Sequence, residues 1–194
     1  MITTMNLLDT SRWCVILPIK VGTSAKSRLG ASPEITSLAY DFAEKTLQAI
    51  LNCQEVGHVL IVTGDGHWES FASERVSIVT DPGGGLNAAI RAARDQWHGD
   101  QLLAVIPGDL ALLDPIDLAD VLFRARSYPL SFVRDKDGTG TTVLTSSKAL
   151  NLSPQYGQNS AAIHLSIGAT ELTAPHSVRF DVDTPEDLAE ISST

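Results

Sequence analysis

The chain has 194 residues, of which 43% are hydrophobic and 19% are charged, and its formal net charge is −9. This length and composition predict one globular domain with a large core. The acidic balance excludes nonspecific nucleic-acid binding, because no basic surplus is present to neutralise phosphates. No apolar stretch approaches the roughly 18 residues of a membrane span, which argues against a membrane partner.

The chain ends and the cysteines indicate how and where the domain folds. We expect residues 1–11, which lack a signal-peptide pattern, to be a flexible N-terminus and residues 12–194 to form a single domain. Cys14 and Cys53 show neither metal-ligand spacing nor a disulfide pattern. Unpatterned cysteines are typical of the reducing cytoplasm, which is therefore the expected location.

Strand patterns and helix patterns alternate along the chain. The predicted strands are Trp13–Ile19, His58–Val62, Val76–Val79, Leu102–Ile106, Leu130–Val133, Thr141–Leu144 and Val178–Phe180. The predicted helices are Leu38–Leu51, Leu86–Trp97, Asp114–Arg126, Ser160–Leu165 and a last one that opens at Thr184, Pro185 and Asp187. This alternation predicts an α/β fold with a central, mostly parallel sheet between helices. The strands within 130–145 are candidates for an antiparallel pair, which would make the sheet mixed.

Three aspartates follow predicted strands. Asp109 comes after Leu102–Ile106, and Asp181 and Asp183 come after Val178–Phe180. Ligands of open α/β sheets bind outside the carboxyl ends of the strands. Asp181 and Asp183 are two residues apart, so they share a face in extended chain and repel each other unless a cation lies between them. The pattern predicts a Mg²⁺ site, whereas the alternative is that these residues only cap turns.

Three cations lie close together after the first strand. Lys20, Lys26 and Arg28 fall within nine positions of a chain that has only 14 Lys and Arg residues. Such a loop can clamp phosphates, although it can also be a solvated basic loop. The chain has no Walker-type motif and no Gly-x-Gly-x-x-Gly after the first strand, which argues against a P-loop NTPase and a dinucleotide-dependent dehydrogenase.

Small-residue segments offer further binding groups. Gly83–Gly85 precede Asn87, whose amide could face a nucleobase, although adjacent glycines can also form a loose turn. The segments 138–142 and 157–160 present backbone amides and hydroxyls that suit a carboxylate or phosphate. His164 lies one helical turn after Ser160, where a core or capping role is favoured over ligand binding. A site with phosphate clamps and no general base suits nucleotidyl transfer to an ionised phosphate.

These segments, in this order, resemble the 2-phospho-L-lactate guanylyltransferase family of coenzyme F-420 biosynthesis (CofC/FbiD). That family has a single-domain, nucleotide-diphosphosugar-transferase-like fold, which is Rossmann-like and is shared with the molybdenum cofactor guanylyltransferases. The resemblance runs from Pro18 to Asp187. The matching segments are 25–29, 86–87, 107–110, 138–141, 156–157 with 160–161, and 181–185.

The resemblance implies GMP transfer from GTP to the phosphate of phosphoenolpyruvate or 2-phospho-L-lactate, with release of pyrophosphate. The implied metal ligands for one or two Mg²⁺ ions are Asp109, Asp181 and Asp183. The implied acceptor-binding residues are Thr141, Gly157 and Ser160. The implied nucleotide-binding residues are Lys20, Lys26, Arg28 and Asn87, and Asp109, Lys26 and Arg28 would be catalytic. The resemblance is compatible with a homodimer and with hand-over of a labile product to the next enzyme.

Two alternatives remain open beside this interpretation. The chain could be a nucleotidyltransferase of another branch, acting on molybdopterin or a sugar phosphate, or a non-catalytic nucleotide-binding paralogue. The sequence also does not choose among phosphoenolpyruvate, 2-phospholactate and 3-phosphoglycerate. These acids share their charged ends, and a small pocket separates such ligands by only about 1–3 kcal/mol unless it pairs a specific polar group.

Overall fold

A computed structural model describes residues 12–20, 33–97 and 102–191. The strands are β1 (Trp13–Pro18), β2 (Val56–Thr63), β3 (Val76–Thr80), β4 (Leu103–Val105), β5 (Leu130–Arg134), β6 (Thr141–Ser146) and β7 (Thr170–Glu171). The helices are α1 (Pro33–Asn52), α2 (Leu86–Gln96), α3 (Pro115–Ala125), α4 (Ser160–Ser166), α5 (His176–Arg179) and α6 (Pro185–Ile191). Short 3₁₀ helices cover Gly66–Phe71 and Ala149–Asn151.

The described strands form one mixed sheet in the order β3-β2-β1-β4-β6-β5-β7. The pairs β1–β2, β2–β3, β1–β4 and β5–β7 are parallel, whereas β6 is antiparallel to both β4 and β5. The predicted α/β fold with a mostly parallel, mixed sheet is confirmed. Because β6 runs in the opposite direction, its first residues lie at the same edge as the carboxyl ends of β1 and β4.

The core lies on both faces of this sheet. All six residues of β1 are buried, and they alternate between the two faces. Leu17 packs in a cluster with Leu47 of α1 and Leu122 of α3. Ile16 packs in a second cluster with Ile90 of α2 on the opposite face. A strand covered on both faces has to be apolar throughout, which explains the continuous hydrophobic run of β1.

Local sequence signals set the helix starts. The Asp114 side chain accepts hydrogen bonds from the N–H groups of Ile116 (2.8 Å) and Asp117 (3.1 Å), so it caps α3 as predicted. Helix α2 begins after three glycines that all have positive φ, which suits residues without Cβ. Among the helices of the described residues, none is both long and apolar enough to cross a membrane.

One predicted strand is wrong. Val178–Phe180 was expected to be extended, but His176–Arg179 form the single-turn helix α5, which begins directly after Pro175. Val178 and Phe180 are apolar because both are buried, Val178 in the first core cluster and Phe180 in a small third one. Burial of Val178 and Phe180 therefore produced the alternation of apolar and polar residues that is typical of a strand. The extended chain begins only at Phe180, so Asp181 and Asp183 follow a helix and not a strand.

Candidate active site at the carboxyl edge of the sheet

A cavity of about 680 Å³ opens at the edge of the sheet where β4 ends and β6 begins. Its walls come from the residues after β4, the β5–β6 turn, the segment before α4, and the chain after α5. The lining residues are Leu86, Pro107, Asp109, Asp135, Thr139–Thr142, Tyr156–Ser160, Asp181 and Asp183. The cavity therefore unites two sets of predicted site residues, the three aspartates and the predicted acceptor-binding group.

The acidic wall contains Asp109, Asp181 and Asp183. The N–H of Val182 donates to the carbonyl of Asp109 (3.1 Å), which ties the two chain segments together. Phe180 and Val182 are buried, whereas Asp181 and Asp183 are half-buried and line the cavity. The prediction that Asp181 and Asp183 share a face is thus compatible with the structure, although no strand precedes them.

The environment of Asp181 opposes its charge. Burial raises the pKa of this carboxyl group to about 6, and Asp109 and Asp183 contribute in the same direction because they add like charge. The cation Lys136 works against this rise. Its Nζ lies 3.4 Å from Asp181 Oδ1 and donates to the Asp181 carbonyl at 2.9 Å. Lys136 therefore offsets the rise in the pKa of Asp181 only in part.

Lys136 and Asp187 are site neighbours that the sequence did not reveal in these roles. Lys136 Nζ lies 3.3 Å from Asp187 Oδ2. The Asp187 carboxylate also accepts hydrogen bonds from the N–H groups of Asp183 (2.8 Å) and Thr184 (2.7 Å). The sequence indicated Asp187 only as part of a helix start. Its carboxylate fixes the backbone of Asp183. An acidic residue in the first turn of a helix can accept hydrogen bonds from the preceding backbone N–H groups, so the helix start was a signal for this contact.

The acidic wall fits a divalent cation only in part as it stands. Asp181 has a raised pKa next to two further carboxylates, and a hard cation with oxygen ligands would remove that repulsion. In residues 12–20, 33–97 and 102–191, however, no three His, Cys, Asp or Glu side chains are grouped so that they could hold a metal by themselves. A metal would therefore need ligand oxygens from elsewhere, such as substrate phosphates.

A second part of the cavity lining, the hydroxyl wall, carries the hydroxyl groups of Thr141 and Ser160. Ser160 Oγ donates to Thr141 Oγ1 (3.2 Å), and Thr141 Oγ1 also lies 2.9 Å from His164 Nδ1. All three side chains are buried. Asn159 is the N-cap residue of α4, so Ser160 does not cap this helix. The neighbouring Thr142 hydroxyl is buried and has no hydrogen-bond partner in the part of the chain that the structure describes.

Two tight segments hold this hydroxyl wall. Asp135 accepts hydrogen bonds from the N–H groups of Thr139 (2.9 Å) and Gly140 (2.7 Å), and a Cβ at Gly140 would collide with the Asp135 carboxylate. Gly157 has φ +138, a conformation that favours glycine, and its carbonyl accepts from the N–H of Ser160 (3.1 Å). Glycine is thus required in both segments by the local backbone structure. The sequence pattern alone could not distinguish this requirement from a role in ligand binding.

Asn87 has a structural contact of its own. Its Nδ2 donates to the carbonyl of Tyr156 (2.9 Å), and its Oδ1 accepts from the N–H of Tyr156 (2.8 Å). The side chain therefore braces the start of α2 against the segment that leads to Gly157. Both polar atoms of this amide are therefore already hydrogen-bonded within the protein. A contact between Asn87 and a nucleobase stays a prediction.

The predicted phosphate clamp is only partly within the described chain. Lys20 is exposed at the end of β1, beside a cavity of about 510 Å³ that Thr63, Gly64 and Asp65 also line. It lines the space that leads to Asp109 and Asp183 as well. Lys26 and Arg28 lie outside the described residues, so their roles stay predictions.

Comparison with known proteins identifies the family. The family model described as "Guanylyl transferase CofC like" matches residues 13–193. The chain belongs to this family. It is 39% identical over 191 residues to the phosphoenolpyruvate guanylyltransferase of Streptomyces coelicolor, and the match covers 91% of this chain and 88% of that protein. The family membership inferred from the motifs is confirmed, and so is the class of enzyme, a nucleotidyltransferase.

Solved structures agree on the fold at low sequence identity. Rv0371c from Mycobacterium tuberculosis superposes with a TM-score of 0.68 at 16% identity, over 95% of this chain and all of that one (100%). A complex of Rv0371c with manganese gives a TM-score of 0.61 at 17% identity, over 95% and 99% of the two chains. A nucleotidyl transferase from Methanothermobacter gives a TM-score of 0.61 at 17% identity, over 94% and 96%. These likenesses concern the fold alone.

Proposed function

We propose that this guanylyltransferase transfers GMP from GTP to the phosphate of phosphoenolpyruvate, as a step of coenzyme F-420 biosynthesis. The observation that carries the proposal is the cavity that Asp109, Asp181 and Asp183 line together with the Thr141–Ser160 hydroxyl pair. An acceptor with a phosphate at one end and a carboxylate at the other matches these two walls. The name of the Streptomyces relative supports phosphoenolpyruvate as that acceptor.

The proposed reaction is an in-line displacement. A phosphate oxygen of the acceptor attacks the α-phosphorus of GTP, the bond to the β-phosphate oxygen breaks, and pyrophosphate leaves with the bonding electron pair. No general base is required, because a phosphate monoester with a second pKa near 6 is mostly dianionic at neutral pH. Positioning and charge neutralisation then supply most of the catalysis.

Asp109, Asp181 and Asp183 would hold one or two Mg²⁺ ions. The cation would supply charge neutralisation at the phosphates of both substrates. Lys136 would keep Asp181 in place, since it contacts both the carboxylate and the carbonyl of that residue. Asp187 would hold the backbone of Asp183 through its two N–H contacts. Both residues would therefore hold Asp181 and Asp183 in position without being metal ligands themselves.

The remaining site residues divide between the two substrates. Thr141, Gly157 and Ser160 would bind the acceptor carboxylate on the hydroxyl wall. Lys20, Lys26 and Arg28 would bind the GTP phosphates, and the cavity beside Lys20 has room for part of the nucleotide. A reducing cytoplasm suits the two cysteines, Cys14 and Cys53, which are free and buried.

The test is a competition assay. Purified protein, GTP and Mg²⁺ are incubated with equal amounts of phosphoenolpyruvate, 2-phospho-L-lactate and 3-phosphoglycerate, and the products are identified by mass. We expect pyrophosphate release that depends on both acceptor and metal, with the guanylylated phosphoenolpyruvate as the main product. Asp109→Asn serves as the inactive control. Parallel reactions offer a sugar phosphate and molybdopterin as acceptors. Turnover of either of these in place of the three acids would assign the protein to another branch, and the absence of any turnover would indicate a non-catalytic paralogue.

A further inference from the structure

The side chain of His164 is hydrogen-bonded at both ring nitrogens. It is fully buried in α4, and the backbone N–H of Gln155 donates to its Nε2 at 3.1 Å. A backbone amide can only donate, so Nε2 accepts and carries no proton. Burial lowers the pKa of His164 to about 4, which keeps the ring neutral at pH 7. The single ring proton therefore lies on Nδ1.

This tautomer determines the polarity of Thr141. With its proton on Nδ1, His164 donates to Thr141 Oγ1 over 2.9 Å. Ser160 Oγ donates to the same oxygen over 3.2 Å. A hydroxyl oxygen accepts two hydrogen bonds and donates one. Both acceptor positions of Thr141 are then filled from within the protein, and its own proton remains to be donated.

The cavity is the space into which this remaining hydroxyl proton can be donated. Thr141 and Ser160 both line the cavity, and across the described segments their side-chain hydroxyls bond only to each other and to His164. If the Ser160–Thr141 bond were reversed, the spare proton would move to Ser160, which borders the same space. In either case the pair presents a hydrogen-bond donor to the cavity.

We infer that His164 is a positioning residue that fixes the Thr141–Ser160 pair as a donor toward the cavity, where an anionic oxygen of the acceptor acid would receive it. This inference rests on the proposed function for the identity of the ligand. It adds a residue that does not touch the acceptor, and it gives the hydroxyl wall a selectivity for oxygens that only accept hydrogen bonds. A carboxylate is such a group, whereas a carboxamide also presents N–H donors.

Two amide substitutions separate the functions of the two ring nitrogens. Asn at position 164 has the reach to replace the Nδ1 donor, and Gln has the reach to replace the Nε2 acceptor. We expect His164→Gln and His164→Leu to raise the Michaelis constant for phosphoenolpyruvate by about tenfold, the scale of one lost hydrogen bond to a charged group, and to leave that for GTP unchanged. We expect His164→Asn to retain most of the wild-type affinity for the acceptor.

A double-mutant cycle and a matched control complete the kinetic test. In a Thr141→Val background the difference between the Asn and Gln variants should vanish, because the oxygen that His164 orients is gone. His58→Asn alters a second buried histidine, which pairs with Ser77 at 3.0 Å away from the cavity. This control should lower the melting temperature without changing either Michaelis constant. A Gln variant that binds the acceptor better than the Asn variant, or a cycle without coupling, would overturn the inference.

The tautomer can also be measured without turnover. In the wild-type protein at pH 7, imidazole nitrogen chemical shifts from heteronuclear NMR should show a protonated Nδ1 and an unprotonated Nε2 in His164, with the signals assigned by their loss in the His164→Asn variant. A protonated Nε2 would overturn the inference. Because this result does not depend on the substrate, it stays decisive if the competition assay fails, so failure of the proposed function and failure of this inference are distinguishable.

Discussion

The two walls of the cavity differ in how far the protein completes them by itself. On the acidic wall, like charges and burial raise the pKa of Asp181 to about 6, and one lysine offsets this only in part. On the hydroxyl wall, Thr141, Ser160 and His164 hydrogen-bond to one another and carry no net charge. The acidic wall holds a carboxyl group whose charge is disfavoured by its surroundings, whereas the hydroxyl wall is already hydrogen-bonded within the protein.

This difference predicts how each wall fails. A defect in the acidic wall should change the rate of the chemical step, because charge neutralisation is needed most in the transition state. A defect in the hydroxyl wall should change acceptor affinity, because its donors bind the acid before and after the transfer. The following predictions, from the largest expected effect to the smallest, either support this division or remove it.

The largest effect is expected for Asp109→Asn and Asp183→Asn. Each change keeps the shape of the side chain but removes the charge of a proposed metal ligand, so turnover should fall by at least about 100-fold, the scale of one lost electrostatic contact to developing charge. The measurement is kcat at saturating Mg²⁺. Asp120→Asn, an exposed aspartate paired with Arg124, is the matched control. Wild-type turnover in either variant would show that the acidic wall does not hold the metal.

Removal of the predicted phosphate clamp tests whether the GTP phosphates are bound by cations that belong to neither wall. Lys26→Ala and Arg28→Ala should raise the Michaelis constant for GTP by roughly 10–100-fold, since a charge-assisted contact contributes about 1.5–3 kcal/mol. The acceptor constant should change less. Lys148→Ala removes an exposed charge after β6, at the opposite edge of the sheet, and should alter neither constant. The reverse pattern, with acceptor binding impaired and GTP use normal, would assign the clamp to the acceptor.

Removal of the hydroxyls tests the second wall directly. Thr141→Val and Ser160→Ala should raise the Michaelis constant for the acceptor by roughly tenfold or more, while that for GTP stays at the wild-type value. Thr145→Val, which removes a buried hydroxyl bonded to Ser131 at 2.6 Å, is the matched control for lost stability. Michaelis constants that stay normal despite a lower melting temperature would make the hydroxyl wall purely structural.

The acidic wall also makes a prediction about stability without metal. The pKa of Asp181 is raised in the folded state, from 3.8 to about 6, so between these pH values the folded protein binds more protons than the unfolded chain. Its free energy of unfolding therefore falls as pH rises through this window. Asp181→Asn should be more stable than wild type at pH 7 by up to about 3 kcal/mol, and by much less at pH 4. Melting temperatures at both pH values, with and without Mg²⁺, measure this difference.

Two observations would contradict that stability prediction. A gain of equal size at pH 4 and pH 7 would show that ionisation of Asp181 is not the cause. A gain that persists at saturating Mg²⁺ would show that the cation does not relieve the repulsion. Asp120→Asn serves again as the control, because it removes an exposed carboxylate that does not line the cavity.

The smallest effect is expected for Asn87→Ala. Within the described residues its amide hydrogen-bonds to backbone groups of Tyr156, so its loss should loosen the segment before Gly157 and raise the acceptor Michaelis constant a few-fold, on the order of 0.5–1.5 kcal/mol. The exposed Asn52 at the end of α1 provides the control substitution. An effect confined to the GTP constant would instead make Asn87 a nucleotide contact and would remove it from the support of the hydroxyl wall.

Sequence patterns predicted the parts of the molecule that depend on local order. The apolar run before Asp109 and the Asp114–Pro115 helix start are local signals, and the structure reproduces both. The strand predicted at Val178–Phe180 is wrong because its apolar residues reflect burial and not strand formation. The two-residue strand β7, at the edge of the sheet, is too short to leave a pattern.

The support of the site could not be predicted for a different reason. Lys136 meets Asp181 across 45 positions of sequence, and His164 meets Thr141 across 23. Such contacts depend on how the β5–β6 turn and α4 are placed by the whole sheet. Spacing alone favoured a core or capping role for His164, and the residue is buried, but the two hydrogen bonds of its ring become visible only in three dimensions.

The turn between β5 and β6 has a consequence for how this enzyme can be altered. Within residues 135–141, Lys136 reaches the acidic wall, and Thr141 begins the hydroxyl wall. The turn is also closed by Asp135 on the amides of Thr139 and Gly140. An insertion or deletion here would displace both walls together, so neither wall can change independently through the length of this turn. New acceptor specificity should therefore arise by point substitution in α4 and its approach, with the hairpin length kept unchanged.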